Sequence, residues 1–197
     1  MKKLLLLFPI LILFAFTSST TQEERHVFDI IHKGKSIGTL YAKKEQVGSK
    51  TIYSNRTEID TRIIAKIEVD YNYKVVYENS KLSHAYVLIL FNGKEKTNTY
   101  TDKNSQGYIF YEDDEEENRI HESITYGTVN LMFEEPENIN KVYAEEHGTF
   151  HSIKKVDSHT YEKTSHKGKT SIYKYKDGEL VEAEIDAGLI SFKIVAK

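Results

Sequence analysis

The chain has 197 residues, with 27 basic and 30 acidic side chains and a net charge of −3 at neutral pH. This mildly acidic balance excludes a general nucleic-acid binder, because binding to a phosphate backbone needs a basic surface. The sequence contains no cysteine, which excludes disulfides, thiolate chemistry and cysteine-based zinc sites.

The N-terminal segment has the pattern of a secretory signal peptide. Two lysines at positions 2 and 3 precede an uncharged apolar run over residues 4–16, and small residues follow at 17–19. The run is shorter than the stretch of about 20 apolar residues that a membrane-spanning helix needs. We therefore predict a signal peptide over residues 1–19, export to the periplasm or the extracellular space, and no stable membrane span after cleavage. An uncleaved N-terminal anchor is the alternative.

The next part of the sequence predicts antiparallel hairpins. Residues 26–32 and 37–44 flank a turn at 33–35, and a further strand is predicted over 51–60. From Ile63 to Tyr77 every second residue is apolar or aromatic, and the residues between them are largely polar. A period of two that is sustained over this length indicates a strand with one buried face.

Further strands are predicted at 82–91, 95–101 and 108–111, and the Asn92-Gly93 pair predicts a tight hairpin turn. Residues 112–117 are six consecutive acids. They lack the spacing of a calcium-binding loop, and we predict that they form an exposed hairpin tip.

Residues 123–133 break the strand pattern. Ser123 can cap a short helix, although Gly127 and the β-branched Thr128 and Val129 oppose one. After this segment, strands are predicted at 141–146, 149–156, 161–165, 172–176, 180–186 and 190–194.

These elements predict a mainly β fold. We expect a single domain over residues 20–197, with about ten antiparallel strands in a meander and one short helical segment near 123–133. One short helix cannot cover such a sheet. The sheet must therefore curve into a barrel or a half-barrel, either with a filled core or with a groove that residues 123–133 partly plug. In the second case the residues expected to line the groove are Val69, Tyr71, Tyr73, Tyr77, Leu131, Met132 and Phe133.

Three stretches of the sequence carry a resemblance to a known kind of protein. They are YGTVNLMFEEP at 126–136, KVYAEEHGTF at 141–150 and YKYKDGELVEAEI at 173–185. With the long one-face-apolar strands, they resemble uncharacterised secreted bacterial proteins that are grouped as a domain of unknown function. The expected architecture also looks like the half-barrel of periplasmic lipoprotein carriers. Neither resemblance implies catalytic residues.

No motif predicts catalysis, a cofactor or a metal site. Residues 34–38 have the Gly-x-Ser-x-Gly pattern of a nucleophile elbow, but that motif needs a following helix, and a strand is predicted here. Four of the eight histidines lie close in sequence, at His147, His151, His159 and His166. They lack the spacing of a helical ligand pair, and we predict that they face solvent on several strands. We therefore predict no enzymatic activity, no cofactor and no metal.

The architecture favours one class of function and leaves a second open. The first class is an exported envelope protein that binds or carries an apolar or amphipathic ligand in the groove of its sheet. The alternative is a structural or protein-interaction module of the cell envelope, without a small-molecule ligand, which pairs with an envelope protein through its sheet edges or polar face. Nucleic acid is not an expected partner of either class.

Overall fold

The computed structural model describes residues 21–62, 66–186 and 191–197, and for residues 60–62 and 66–67 it describes the backbone alone. The predicted signal peptide therefore lies outside the described residues, as do Ile63 and Ala65 of the alternating segment. None of the described residues belongs to a helix that is long and apolar enough to cross a membrane.

Within these ranges the chain forms fourteen β-strands and one 3₁₀ helix. Eight strands precede the helix, which spans Thr128–Met132, and six follow it. The strands are β1 Gln22–His32, β2 Lys35–Val47, β3 Lys50–Arg62, β4 Lys66–Glu78, β5 Lys81–Phe91, β6 Lys94–Asn104, β7 Gly107–Glu112, β8 Glu115–Ile120, β9 Lys141–Ala144, β10 Thr149–Asp157, β11 Thr160–Thr164, β12 Thr170–Lys176, β13 Glu179–Asp186 and β14 Ser191–Ala196.

All fourteen strands belong to one sheet, in the order β8-β7-β6-β5-β4-β3-β2-β1-β14-β13-β12-β11-β10-β9. Each of the two meanders, β1–β8 and β9–β14, pairs only neighbours in sequence. They join where β1 pairs antiparallel with β14, with Phe28 opposite Ala196. The predicted antiparallel meander is thus confirmed, with fourteen strands in the described residues rather than about ten. Strands β8 and β9 are the two edges, and no ladder joins them in the described part of the chain.

The tight turns follow the predicted chemistry. Asn92 and Gly93 have positive φ angles of 50° and 73°, which is the conformation of the two-residue type I′ hairpin. The acidic run also lies at a hairpin tip as predicted. Asp113 and Asp114, with φ angles of 50° and 66°, turn the chain from β7 into β8, and residues 112–117 are all exposed.

Strand β4 confirms the long period-two pattern over its described side chains. Val75 and Tyr77 are buried, whereas Lys74 and Glu78 are exposed. The buried side chains contribute to one core cluster on the concave face of the sheet, to which nearly every strand contributes. Alternation places the apolar residues of β4 on this face because successive side chains of a strand point to opposite sides.

The segment that breaks the alternation forms a single 3₁₀ turn, which is shorter than the predicted helix near 123–133. The amide of Asn130 donates to the Gly127 carbonyl oxygen at 3.2 Å, and the amide of Phe133 donates to that of Asn130 at 2.9 Å. This i→i+3 pattern replaces an α-helix because Gly127 and the β-branched Thr128 and Val129 are poor helix formers.

The sheet curls until its two edges approach each other. Asn118 of β8 donates a side-chain hydrogen bond of 2.9 Å to the carbonyl oxygen of Gly148, in the turn between β9 and β10. The hydroxyl groups of Thr101 on β6 and Tyr143 on β9 lie 2.8 Å apart and are both buried. Because these contacts join elements from opposite ends of the sheet order, the concave face encloses a core that the 3₁₀ turn partly fills.

Candidate functional site

A cavity of about 360 Å³ remains on the concave face, beside the 3₁₀ turn. Residues of both meanders line it, and the turn contributes Thr128, Val129 and Met132. This volume lies near the lower end of the range of about 300–1,000 Å³ that is typical of small-molecule sites. One wall is apolar and contains Ile30, Leu40, Met132, Phe192 and Ile194.

Strand register explains why β3 and β4 form the adjoining wall. Asn55 of β3 lies opposite Tyr73 of β4, and Thr57 lies opposite Tyr71, so all four side chains point to the same face. All four line the cavity. The side-chain oxygen of Asn55 is buried and has no hydrogen-bond partner in the protein. This oxygen is therefore available to accept a hydrogen bond from a group in the cavity.

Tyr73 connects this wall to the turn between β9 and β10. Its hydroxyl donates a hydrogen bond of 3.1 Å to the carboxylate of Glu146. Burial raises the pKa of Tyr73 well above its usual value, and the charge of Glu146 adds to this effect. Tyr73 therefore stays a neutral hydrogen-bond donor at all physiological pH values.

Glu145 holds the 3₁₀ turn in place from the same β9–β10 turn. Its side chain is buried, with 1% exposure. It accepts hydrogen bonds from the amides of Thr128 at 3.1 Å and Val129 at 3.4 Å, and from the hydroxyl of Thr128. Burial raises the pKa of Glu145, and these hydrogen bonds act in the opposite direction. Glu145 therefore satisfies the free amides at the start of the turn.

A second anchor of the turn is the buried side chain of Asn130. It accepts a hydrogen bond of 2.9 Å from the amide of Gly127 and donates one of 3.1 Å to the hydroxyl of Tyr53 on β3. From the other meander, the hydroxyl of Tyr175 on β12 donates a hydrogen bond of 2.9 Å to the carbonyl oxygen of Leu131. These bonds fix the position of Met132 in the cavity wall.

Three histidines and a lysine form a polar part of the cavity lining. The ring centre of His147 lies 5.9 Å from that of His151 and 6.3 Å from that of His166, and the last two are 6.1 Å apart. Lys163 of β11 lines the same part of the cavity. His147 is in the β9–β10 turn, His151 is on β10, and His166 is in the loop between β11 and β12. Among the described residues, no group of three His, Asp or Glu side chains has an arrangement suited to a metal ion.

His151 is the most unusual of these side chains. It is 5% exposed, and neither ring nitrogen has a hydrogen-bond partner in the protein. Burial lowers its pKa to about 4, and the charges of Lys163, His147 and His166 act in the same direction. At neutral pH it is therefore an uncharged ring with one free donor and one free acceptor.

The structure distributes the predicted groove residues over three environments. Tyr71, Tyr73 and Met132 line the cavity, whereas Val69 is half-buried against the core and does not line it. The remaining three predicted residues are buried core side chains: Tyr77, Leu131 and Phe133.

Three of the four histidines, His147, His159 and His166, are exposed as predicted, although they lie in turns rather than on strands. His151 on β10 contradicts the prediction because it is buried, with its ring near those of His147 and His166. His159 is separate and bonds to Glu135. Residue spacing could not show this cluster, because its members come from a turn, a strand and a loop. Sequence reasoning also missed Asn55, Glu145 and Lys163, which carry no motif.

Comparison with solved structures supports the architecture. A crystal structure of a β-barrel-like protein of the domain of unknown function DUF1849 from Brucella abortus is similar to this chain, with a TM-score of 0.56 and 11% identity. The similarity covers 88% of this chain and 95% of that chain. At this identity the likeness shows the fold alone.

Sequence comparison places the chain in a family. Comparison with curated proteins gives no match. The family model of DUF6134, a domain of unknown function, matches residues 28–197 and so includes all three stretches of sequence that carry the predicted resemblance. That resemblance to an uncharacterised domain is confirmed, and the chain belongs to the DUF6134 family.

Proposed function

We propose that this protein is an exported envelope protein that binds and carries an apolar or amphipathic ligand in the cavity of its curved sheet. The observation that carries the proposal is the cavity itself, which combines an apolar wall with buried polar atoms that have no partner in the protein. A filled core would cover that wall and would leave no reason for unpartnered polar side chains to face a common space.

The 3₁₀ turn supports the same proposal. It is the element that could close the cavity, yet Glu145 and Asn130 hold it to one side by several hydrogen bonds. Met132 then contributes a flexible, polarisable side chain to the wall, of a kind that adapts to apolar ligands of different shape. The space beside the turn is thus kept open by specific contacts.

Uptake of the neutral apolar fluorophore N-phenyl-1-naphthylamine tests the proposal. Wild type is expected to bind it, and Leu40→Glu to bind at least about tenfold more weakly, because a carboxylate on the apolar wall resists desolvation. Leu40→Trp, which stays apolar and fills the space, should also lose uptake. Tyr41→Glu is the matched control, since Tyr41 is 48% exposed on the opposite face of the same strand.

Circular dichroism checks that each variant is folded before uptake is compared. Absence of binding by wild type would reject the carrier function and favour the interaction module. Equal uptake by wild type and Leu40→Trp would place any binding outside this cavity.

Export is a separate part of the proposal, and its support is the basic, apolar and small-residue pattern of residues 1–19. Protein recovered from the envelope or the medium of its own cells is expected to begin between residues 18 and 22. Intact-mass analysis measures this directly. A mass that includes Met1 would contradict cleavage.

A further inference from the structure

The three-histidine cluster marks a place where the cavity lining is polar, and its most buried member has unused hydrogen-bonding capacity. Only 5% of the surface of His151 is exposed, and both of its ring nitrogens lack hydrogen-bond partners in the protein. Such a side chain is expected to bind something, because a buried donor and acceptor that both stay empty are costly.

The charges around His151 indicate what kind of group would bind. The half-buried Lys163 faces the cavity from β11, and the loop between β11 and β12 adds Lys167 and Lys169 to the lining. The charges that act on His151 are those of Lys163, His147 and His166, and all of them disfavour a further positive charge there. A cation would meet the same opposition, whereas an anion would be attracted.

Three carboxylates also line the cavity, at Glu145, Glu146 and Asp186. Glu145 accepts hydrogen bonds from the amides of the 3₁₀ turn, and Glu146 accepts one from the Tyr73 hydroxyl. These two carboxylates are thus bonded to the 3₁₀ turn and to Tyr73, whereas β11 and the loop after it supply three lysines to the lining.

We propose that the ligand is a single-chain amphipathic anion whose carboxylate or phosphate group binds His151 and Lys163 while its tail lies against the apolar wall. The inference rests on the proposed carrier function and narrows its ligand class. His151 donates one N–H to the anion, and Lys163 contributes a charge-assisted hydrogen bond. A cavity of about 360 Å³ accommodates one short chain, and a two-chain lipid would exceed it.

Competition against N-phenyl-1-naphthylamine with three ten-carbon compounds separates this inference from the proposed function. Decanoate and decyl phosphate carry the anionic group, and decanol has the same chain without it. We expect at least one anion to displace the fluorophore at a concentration at least about tenfold below that of decanol. The tighter of the two anions identifies the headgroup.

Substitutions then locate the anion. Lys163→Met and His151→Phe are expected to remove most of the preference for the anion over decanol, so that the anion and decanol displace the fluorophore at similar concentrations. Lys154→Met is the matched control, because Lys154 is exposed on the neighbouring strand β10 and does not line the cavity. Using the ratio of anion to decanol binding cancels any general loss of stability in a variant.

Other outcomes have distinct meanings. Equal displacement by all three compounds would overturn the headgroup site and leave the carrier function standing. No displacement and no fluorophore uptake would reject the carrier function itself. One equivalent of Zn²⁺ that wild type retains on dialysis and His151→Phe loses would replace the anion site by a metal site.

Discussion

Glu145→Ala is expected to lower the free energy of unfolding by about 3 kcal/mol. The substitution removes a fully buried acceptor and leaves the amides of Thr128 and Val129 and the hydroxyl of Thr128 without a partner. Each buried donor that stays unpaired costs about 1–3 kcal/mol. The 3₁₀ turn should loosen as a result, and the cavity wall that it supports should become mobile.

Urea denaturation followed by tyrosine fluorescence measures the loss. Glu145→Gln is the first control, because an amide keeps an oxygen that can accept the same backbone hydrogen bonds, and it should lose about 1 kcal/mol. Glu146→Ala is the second control, since its neighbouring carboxylate is half-buried and is bonded to the Tyr73 hydroxyl. If Glu145→Ala unfolds at the same urea concentration as Glu146→Ala, Glu145 does not anchor the turn.

The second large effect is a loss of stability in mild acid that depends on His151. Its pKa is lowered from 6.5 to about 4 in the folded protein, so the unfolded chain binds a proton first as the pH falls. This difference favours the unfolded state progressively below pH 6.5, and the loss levels off below pH 4 at about 3 kcal/mol. Above pH 6.5 the ring is neutral in both states and contributes no pH dependence.

Denaturant unfolding of wild type and His151→Phe between pH 7.5 and pH 4 measures this contribution. As the pH falls, wild type should lose about 3 kcal/mol of unfolding free energy relative to His151→Phe. Glu145 acts in the opposite sense because its pKa is raised, but it is present in both proteins and cancels. A difference that stays constant with pH would mean that His151 titrates normally.

The strands were predictable wherever one face of the sheet is buried. The alternating apolar residues that end with Val75 and Tyr77 are those whose side chains face the concave core. Strand β8 escaped prediction because five of its six side chains are exposed and only Ile120 is buried. It is an edge strand, and its charges protect the edge from pairing with other chains, so no apolar alternation can mark it.

Only those site residues were predictable whose position follows from the periodicity of their own strand. Tyr71 and Tyr73 were placed on the concave face by the period of their own strand, and they line the cavity. His151 and Lys163 share a face of the β10–β11 hairpin, because Lys163 lies opposite Ile153, two residues from His151. The apolar wall that faces them comes from β1, β2 and β14, and the curl of the sheet that creates this cavity is not encoded in residue spacing.

The pairing of β1 with β14 has a consequence for the order in which the molecule assembles. Every other ladder among the described strands joins neighbours in sequence, so it can form as soon as both strands of a hairpin have been synthesised. Phe28 must instead wait for Ala196, its partner near the C-terminus. Until then β1 and β14 are both unprotected edges at what will become the middle of the sheet. The seam between the two halves thus closes last, and the non-local search for it is the slow, aggregation-exposed stage of folding.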